Sequence, residues 1–167
     1  MHFSDGSSVT ADAIICCTGY DTDLGFLGES CGISVKAGIT VHPIYNYLLN
    51  PIYPSMGFFG RAFGITPFIF AEYQAIYFTK VLSNEIPLPP ERGRVSAANA
   101  LLSRHTGRPD RQLYRMTEHV DYYRLLGELT GEHLIDYTRS EELHKKVVER
   151  RTAHPLQFRT WPNSYWE

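Results

Sequence analysis

Two adjacent cysteines, Cys16 and Cys17, are the first residues whose chemistry could matter, because thiolates bind metals and exchange disulfides. They end the run AIICC (13–17), and such a short apolar run fits a strand buried on both faces. Neighbouring side chains of a strand point to opposite faces, so the two thiols cannot share one tetrahedral metal ion. The third cysteine is Cys31, and the chain has no CxxC pair. The pattern therefore predicts buried, free cysteines that behave as small apolar side chains.

Other catalytic motifs are missing from the sequence. The seven histidines are scattered and form no HExxH zinc motif. A serine nucleophile would need a GxSxG elbow, and dinucleotide binding would need a GxGxxG turn; the chain contains neither. We therefore predict no metal site, and the catalytic residues stay unknown.

Two short segments are candidate binding elements. Thr18-Gly19-Tyr20 directly follows the apolar run, and ligands of open α/β sheets gather beyond the carboxyl ends of strands. An ordinary turn after a strand would have the same residues. Thr66 and Pro67 are typical of a helix start, with Thr as the cap and Pro in the first position. The free N–H groups there, near Phe68 and Ile69, could face an anion or an electron-rich carbonyl.

Glu72 and Gln74 are polar residues in the otherwise apolar stretch TPFIFAEYQAIYFTKVLS. Buried polar groups need hydrogen-bond partners, so either side chain could order a ligand. Both could equally face solvent or bond locally, since helices commonly keep a narrow polar edge.

Short strands are predicted for the first half of the chain, around a turn at Asp5-Gly6-Ser7 and over 1–4, 8–10, 13–17, 33–35, 39–41 and 56–60. The clearest helix begins at Pro67 and ends at Ser83-Asn84; because it is apolar nearly all round, we expect a core helix. Further helices are predicted over 96–105, over 110–130 with Gly131 as its end, and over 141–151 with Ser140 as its cap.

Composition limits the class of function. The chain has 167 residues, of which 43% are hydrophobic and 20% charged, enough for one packed domain or a large piece of one. Its net charge of −2 gives no support to nucleic-acid binding. There is no stretch of 18 uninterrupted apolar residues, so no transmembrane segment is predicted. The three cysteines and the lack of a signal peptide favour a cytoplasmic protein, with membrane attachment through other segments left open.

Taken in order, the motifs resemble the flavin-containing monooxygenases, a dimethylaniline monooxygenase-like family that depends on FAD and NADPH. FSDGSSVTADAIICCTGYDTDLGFL is similar to a strand pair and buried strand of that family, which most often has Ala where this chain has Cys17. NPIYPSMGFFGRAFGITPFIFAEYQ is similar to its strand, Gly-x-x-Pro turn and Glu-x-Gln helix, and HVDYYRLLGELTG is similar to a later helix. The last 30 residues match less clearly.

This resemblance implies an α/β fold: a C-terminal fragment of a flavoprotein with two dinucleotide-binding domains, short strands being followed by a mostly helical half. Residues 1–90 would be the crossing from the NADPH domain to the FAD domain with the core helix, and 91–167 the helical end of the FAD domain. FAD- and NADPH-binding segments upstream would be required. The implied cofactor-binding residues are Thr18, Gly19, Tyr20, Thr66, Pro67, Phe68, Ile69 and Gln74, and less firmly Glu72.

The implied reaction is oxygenation of a small molecule with a soft nitrogen or sulfur nucleophile, through a hydroperoxyflavin made from NADPH and O2. Two alternatives stay open. One is another FAD- and NAD(P)H-dependent oxidoreductase, such as a Baeyer–Villiger monooxygenase. The other is a truncated, non-catalytic fragment that acts only as an interaction module, which the missing glycine turns favour.

Overall fold

Four α-helices and one short pair of strands make up the regular structure of the described residues, together with one short 3-10 turn. The computed structural model describes residues 1–17, 19–36, 38, 40–61, 67–103 and 116–157. The elements, in chain order, are β1 (Ser34–Lys36), β2 (Thr40–His42), α1 (Pro67–Leu82), α2 (Glu91–Ser103), α3 (Met116–Thr130) and α4 (Tyr137–Ala153). A single 3-10 turn over Glu29–Cys31 precedes β1.

The two strands confirm the short strands expected near 33–35 and 39–41. They run antiparallel, with Ser34 opposite His42 and Val35 opposite Val41. Within the described residues this two-stranded sheet is the only one. The expected order, short strands followed by a mostly helical half, is confirmed, and the described residues form a small, mostly helical fold with one two-stranded sheet.

The first nine residues form the predicted turn. Ser7 donates from its backbone N and its hydroxyl to Asp5 Oδ1, at 2.9 and 2.7 Å, and Gly6 has φ +84°. The flanking strands are reduced to one bridge between His2 and Ser8. The Asp5 carboxylate accepts both donors, which favours its charged form and lowers its pKa.

The buried strand predicted over 13–17 is wrong for this structure. The segment has no regular structure, and each described residue from 1 to 21 is exposed. Cys16 and Cys17 are accordingly exposed rather than buried, whereas Cys31 is buried. The physical reason is that no described backbone pairs with the segment and no described element covers it. The strand expected over 56–60 is likewise reduced to one bridge, between Gly57 and Leu49.

Helix α1 has the predicted bounds, but it is not buried all round. It begins at Pro67 and is followed by Ser83-Asn84, where Asn84 has φ +61°. Its buried residues recur at spacings of three and four and are Phe70, Tyr73, Gln74, Tyr77 and Val81. The opposite face, which includes Ala71, Glu72 and Ala75, is exposed. Only one side of α1 is covered because α3 and the 45–49 turn pack against the same face.

Helix α3 confirms the predicted apolar spacing, with Val120, Tyr123 and Leu126 buried. Gly131, at φ +74°, ends the helix by donating its N–H to the Gly127 carbonyl at 2.8 Å. The predicted start at 110 lies outside the described residues, as does the predicted end of α2 at 105.

Helices α2 and α4 begin earlier than predicted. Helix α2 starts five residues sooner, at Glu91. Two prolines directly precede Glu91, and because the residue before a proline disfavours helical backbone, the helix does not extend further upstream. Helix α4 starts at Tyr137 because Asp136 caps it, accepting from the Arg139 N–H at 3.0 Å. Ser140, the predicted cap, therefore lies inside the helix. Arg150 and Arg151 occupy the last turn as predicted.

Candidate functional site

The side chain of Gln74 organises the most connected polar group next to the predicted binding elements. It is fully buried on the covered face of α1. Its Oε1 accepts from the Gly60 N–H at 3.1 Å, and its Nε2 donates to the Tyr47 carbonyl and the Tyr122 hydroxyl, both at 3.2 Å. One amide thus joins α1, α3, the 45–49 turn and the loop at Gly60. The amide uses its acceptor and both donors on this chain.

The hydrogen bonds continue from Gln74 to a second polar side chain, Asn46. Tyr122 donates its hydroxyl to the Asn46 carbonyl at 2.9 Å, and the Asn46 amide donates to the Tyr77 hydroxyl at 3.2 Å. Burial raises the pKa of Tyr77 to about 12 and raises that of Tyr122 still further. Both phenols are therefore neutral hydrogen-bonding groups near pH 7, not general bases.

The Gly60–Arg61 loop lies between the two predicted binding segments. Gly60 has φ +67°, and nothing lies within 4 Å of the position where a side chain would begin. Arg61 Nη2 donates to the Thr22 hydroxyl at 2.8 Å, close after Gly19-Tyr20 in the chain. Residues 62–66, which are not described, lead from this loop to Pro67. The Gln74 and Thr22 bonds therefore hold the loop from two sides.

The predicted site residues have different positions. Thr18 and Thr66 lie outside the described residues. Gly19 has φ +85°, Tyr20 is 99% exposed, and Phe68 is 83% exposed in the first turn of α1. Ile69 is half-buried against the core. The described members of the predicted set therefore do not form one cluster: Tyr20 and Phe68 are exposed, and Gln74 is buried. Pro67 begins α1, and Glu72 faces solvent.

The residues of this site that were missed from the sequence include Asn46, Arg61 and Tyr122. Their signals are weak, because each belongs to a common residue type without a motif around it. The Tyr122-Tyr123 pair in α3 is the nearest thing to a signal, since two tyrosines on a packed helix need partners for their hydroxyls.

A second polar cluster joins α1 to the start of α4. The Leu134 N–H donates to the Tyr73 hydroxyl at 2.8 Å, and that hydroxyl lies 3.1 Å from the Tyr137 hydroxyl. His133 Nδ1 lies 2.8 Å from the Tyr137 hydroxyl, and Tyr73 stacks on Tyr123 with ring centroids 5.3 Å apart. Desolvation raises the pKa of Tyr137, so this phenol too stays protonated. The cluster fastens three helices together.

The described residues fit a flavin dinucleotide only in part. The start of α1 offers N–H donors, and Gly60 leaves open space beside its backbone. The sequence has no GxGxxG turn to hold a pyrophosphate. One cleft of about 400 Å³ lies at the opposite end of α1, and its walls, such as Val81, Ile86 and Leu88, are mainly apolar. The start of α1 and the loop at Gly60 could therefore supply one edge of a cofactor site.

In the described part of the chain, no three His, Cys, Asp or Glu side chains come close enough together to hold a metal ion. None of the helices in that part combines the length and the apolar character needed to cross a bilayer.

The chain is similar to known proteins over nearly its whole length, although no family model matches it. Flavin-containing monooxygenase FMO GS-OX-like 3 of Arabidopsis thaliana is 29% identical over 165 residues, which cover 94% of this chain and 35% of that protein. FMO GS-OX-like 2 of the same plant is 34% identical over 90 residues, 53% of this chain and 19% of the relative.

A solved structure shows the same relationship. S-allyl-L-cysteine S-oxygenase from Allium sativum superposes with a TM-score of 0.84 and 27% identity, covering 99% of this chain and 38% of that one. The chain therefore spans only about a third of the length of the relatives that it matches along its whole length. On these similarities, the chain is homologous to the flavin-containing monooxygenases.

Proposed function

We propose that this chain is part of an FAD- and NADPH-dependent monooxygenase that oxygenates small molecules at sulfur. The observation that carries the proposal is the match of 99% of the chain to the garlic S-oxygenase at a TM-score of 0.84. Relatives from Arabidopsis that are named as flavin-containing monooxygenases support it at 28–29% identity. Sulfur is favoured over nitrogen because the structural relative is named as an S-oxygenase.

The proposed role of this chain is to shape one side of the flavin site. Reduced flavin supplies the chemistry that activates O2. The first turn of α1, which begins at Pro67, would direct the N–H groups of Phe68 and Ile69 toward negative charge on the flavin. Thr66, directly before it in the sequence, is proposed to contact the same cofactor. A helix start stabilises such a charge by about 0.3–1 kcal/mol, and by up to ~2 kcal/mol when partly buried. Thr18, Gly19 and Tyr20 would line the same cofactor from the other segment.

Gln74 fits a positioning role in this proposal rather than a direct contact. Its amide is fully engaged with Gly60, Tyr47 and Tyr122. It would set the distance between the Gly60–Arg61 loop and α1, and so the shape of the site edge.

A chimera tests the activity. The part of the garlic S-oxygenase that matches this chain is replaced by the 167 residues, and the unaltered garlic protein is the control. We expect bound flavin in the visible spectrum and NADPH-dependent S-oxidation of S-allyl-L-cysteine. N,N-dimethylaniline and a cyclic ketone, tested in parallel, measure N-oxygenation and Baeyer–Villiger oxidation. The sulfur assignment would be refuted by a folded, flavin-loaded chimera that oxidises N,N-dimethylaniline or the cyclic ketone but not S-allyl-L-cysteine.

Variants of the chimera test the site. Pro67→Gly and Phe68→Ala alter the proposed flavin-facing turn, and Thr79→Ala alters an exposed position of the same helix that has no proposed role. We expect the first two to lower flavin content or NADPH oxidation several-fold and the third to leave both unchanged. Equal behaviour of all three variants would contradict a cofactor contact at the start of α1.

A second candidate, a non-catalytic interaction module, stays open because the given residues carry no GxGxxG turn. The visible spectrum of the purified 167-residue chain shows whether this polypeptide binds flavin on its own. A colourless chain that does not oxidise NADPH, and whose chimera is also inactive, would support the module.

A further inference from the structure

The amide of Gln74 has only one orientation that satisfies its three neighbours. The Gly60 N–H, at 3.1 Å, can only donate, and the Tyr47 carbonyl, at 3.2 Å, can only accept. Tyr122 gives its single hydroxyl proton to the Asn46 carbonyl at 2.9 Å, so its oxygen can only accept from Gln74. The amide nitrogen therefore faces Tyr47 and Tyr122, and the amide oxygen is left for Gly60.

The turn that supplies two of these acceptors is strained. Asn46 and Tyr47 have φ +47° and +53°, a left-handed backbone that is uncommon outside glycine and unusual for a bulky side chain. Such backbone persists only where the surroundings hold it, and it clusters at functional sites. Here Tyr122 bonds to the Asn46 carbonyl, and Gln74 bonds to the Tyr47 carbonyl. One hydroxyl and one amide therefore hold the strained turn between α3 and α1.

Gly60 is the open end of this network. It is exposed, with φ +67°, and nothing lies within 4 Å of the position where a side chain would begin. A glycine with open space beside it lets another molecule approach the backbone closely. Its N–H points to the buried amide of Gln74. The position of this exposed backbone therefore depends on a hydrogen bond to the core.

We propose that Tyr122 is a positioning residue for sulfur oxygenation, acting through Gln74 on the Gly60 backbone at the edge of the site. Tyr122 lies on α3, is buried, and belongs to none of the segments proposed to contact the cofactor. This inference rests on the proposed function and adds a residue that controls where the substrate sulfur lies. A displacement of about 1 Å at a reacting centre lowers a rate by as much as roughly 100-fold.

A displaced sulfur changes the product that the same reactants give. Productive turnover converts NADPH, H⁺, O2 and a sulfide into NADP⁺, water and a sulfoxide. Without a sulfide in position, NADPH, H⁺ and O2 give NADP⁺ and hydrogen peroxide. The amount of peroxide released per NADPH oxidised therefore reports the position of the sulfur. This ratio does not depend on the fraction of the enzyme that is folded.

The first experiment uses the 167-residue chain and needs no activity. NMR measures amide hydrogen exchange at Gly60 in the wild type, Tyr122→Phe and Tyr123→Phe. We expect Tyr122→Phe to speed the exchange about two- to tenfold, the effect of losing one hydrogen bond. Tyr123→Phe is the matched control and should leave the exchange unchanged. Tyr123 is equally buried, but in the described part of the chain its side chain makes ring contacts and no hydrogen bond.

The second experiment uses the garlic chimera with S-allyl-L-cysteine as the substrate. We expect Tyr122→Phe to raise the peroxide released per NADPH several-fold and Tyr123→Phe to leave it unchanged. In a Gln74→Leu chimera, which already lacks the amide, Tyr122→Phe should add no further change, because the hydroxyl acts through that amide. If circular dichroism shows that the leucine variant has lost its helices, Gln74→Met takes its place, since methionine fills irregular space.

Four results would overturn the proposal. They are Gly60 exchange that does not respond to Tyr122→Phe, an unchanged peroxide ratio in an active Tyr122→Phe chimera, equal effects of the two phenylalanine variants, and additive effects of Tyr122→Phe and Gln74→Leu. Failure of the proposed function looks different. A flavin-loaded chimera that forms no sulfoxide, together with Gly60 exchange that responds to Tyr122→Phe, would count against sulfur oxygenation and support the connection from Tyr122 to Gly60.

Discussion

At the scale of single residues, the amide of Gln74 links more parts of the fold than any other described side chain near the candidate site. It receives the Gly60 N–H and donates to Tyr47 and Tyr122. The sequence indicated that a polar residue in an apolar helix needs partners. It did not indicate which partners, because Gly60 is 14 residues away and Tyr122 is 48 residues away.

Replacing Gln74 with leucine should lower the free energy of unfolding by about 1–3 kcal/mol, since buried partners lose their hydrogen bonds while the volume stays similar. Glu72→Leu, two residues away on the exposed face, is the control and should change stability by less than about 0.5 kcal/mol. Urea unfolding monitored by circular dichroism measures both. Equal stability of the two variants would show that the amide contributes nothing to the fold.

At the scale of elements, the helices differ in how closely they pack. Helix α3 packs against α1 on one side and α4 on another. Its Gly127, in the last turn of α3, lies close to the start of α4. A side chain at this position would meet the Tyr137 hydroxyl and His133 Nδ1, the latter at 2.8 Å. Helix α2 contains Gly93, whose added carbon would lie 3.5 Å from Pro89, an ordinary contact.

The two glycines therefore predict opposite effects of the same substitution. Gly127→Ala should destabilise the protein by about 1–3 kcal/mol, because the methyl group displaces packed side chains. Gly93→Ala should stabilise it by up to about 1 kcal/mol through helix propensity. Thermal unfolding of the two variants gives the comparison. A Gly127→Ala protein that is more stable than the wild type would contradict the close approach of α3 and α4.

The start of α4 allows a test of the cap. Asp136→Ala should cost about 0.5–2 kcal/mol, because the Arg139 N–H loses its acceptor. Ser140→Ala, at the cap predicted from sequence, should have almost no effect or be slightly stabilising, since the residue lies inside the helix. Helix content and urea midpoints measure the difference. A larger loss from Ser140→Ala would place the start of the helix at the predicted position.

At the scale of the whole molecule, tyrosines hold the core together. Among the described residues five tyrosines are buried, namely Tyr47, Tyr73, Tyr77, Tyr122 and Tyr123, and they come from three parts of the chain. Their rings pack edge to face or stacked, and their hydroxyls bond across helices. A core of this kind is stable only while the phenols stay protonated.

Alkaline pH should therefore unfold the chain. Burial raises the pKa of Tyr77 and of Tyr123 from 10.0 to about 12, so the unfolded chain loses these protons first as the pH rises. Stability should be level up to about pH 10 and fall between pH 10 and 12. Urea unfolding across that range measures the fall, and Tyr77→Phe should make it shallower. A fall of the same size in this variant would show that Tyr77 does not titrate with folding.

The sequence by itself determined the local features of this protein. The turn at Asp5-Gly6, the start of α1 at Pro67 and the end of α3 at Gly131 depend on a few neighbouring residues, and each was predicted. The order of the motifs also indicated the family. These features could be predicted because proline, glycine and short polar side chains restrict the backbone directly.

Only the tertiary structure decided which surfaces are covered. AIICC (13–17) reads as a buried strand, yet it is exposed, and α1 reads as a helix apolar all round, yet it buries one face. The tertiary structure also decided that Gln74 bonds to Gly60 and Tyr122. The physical reason is that burial and long-range hydrogen bonds depend on what packs against a segment. A local pattern records that a face needs cover, but it does not specify which part of the fold provides it.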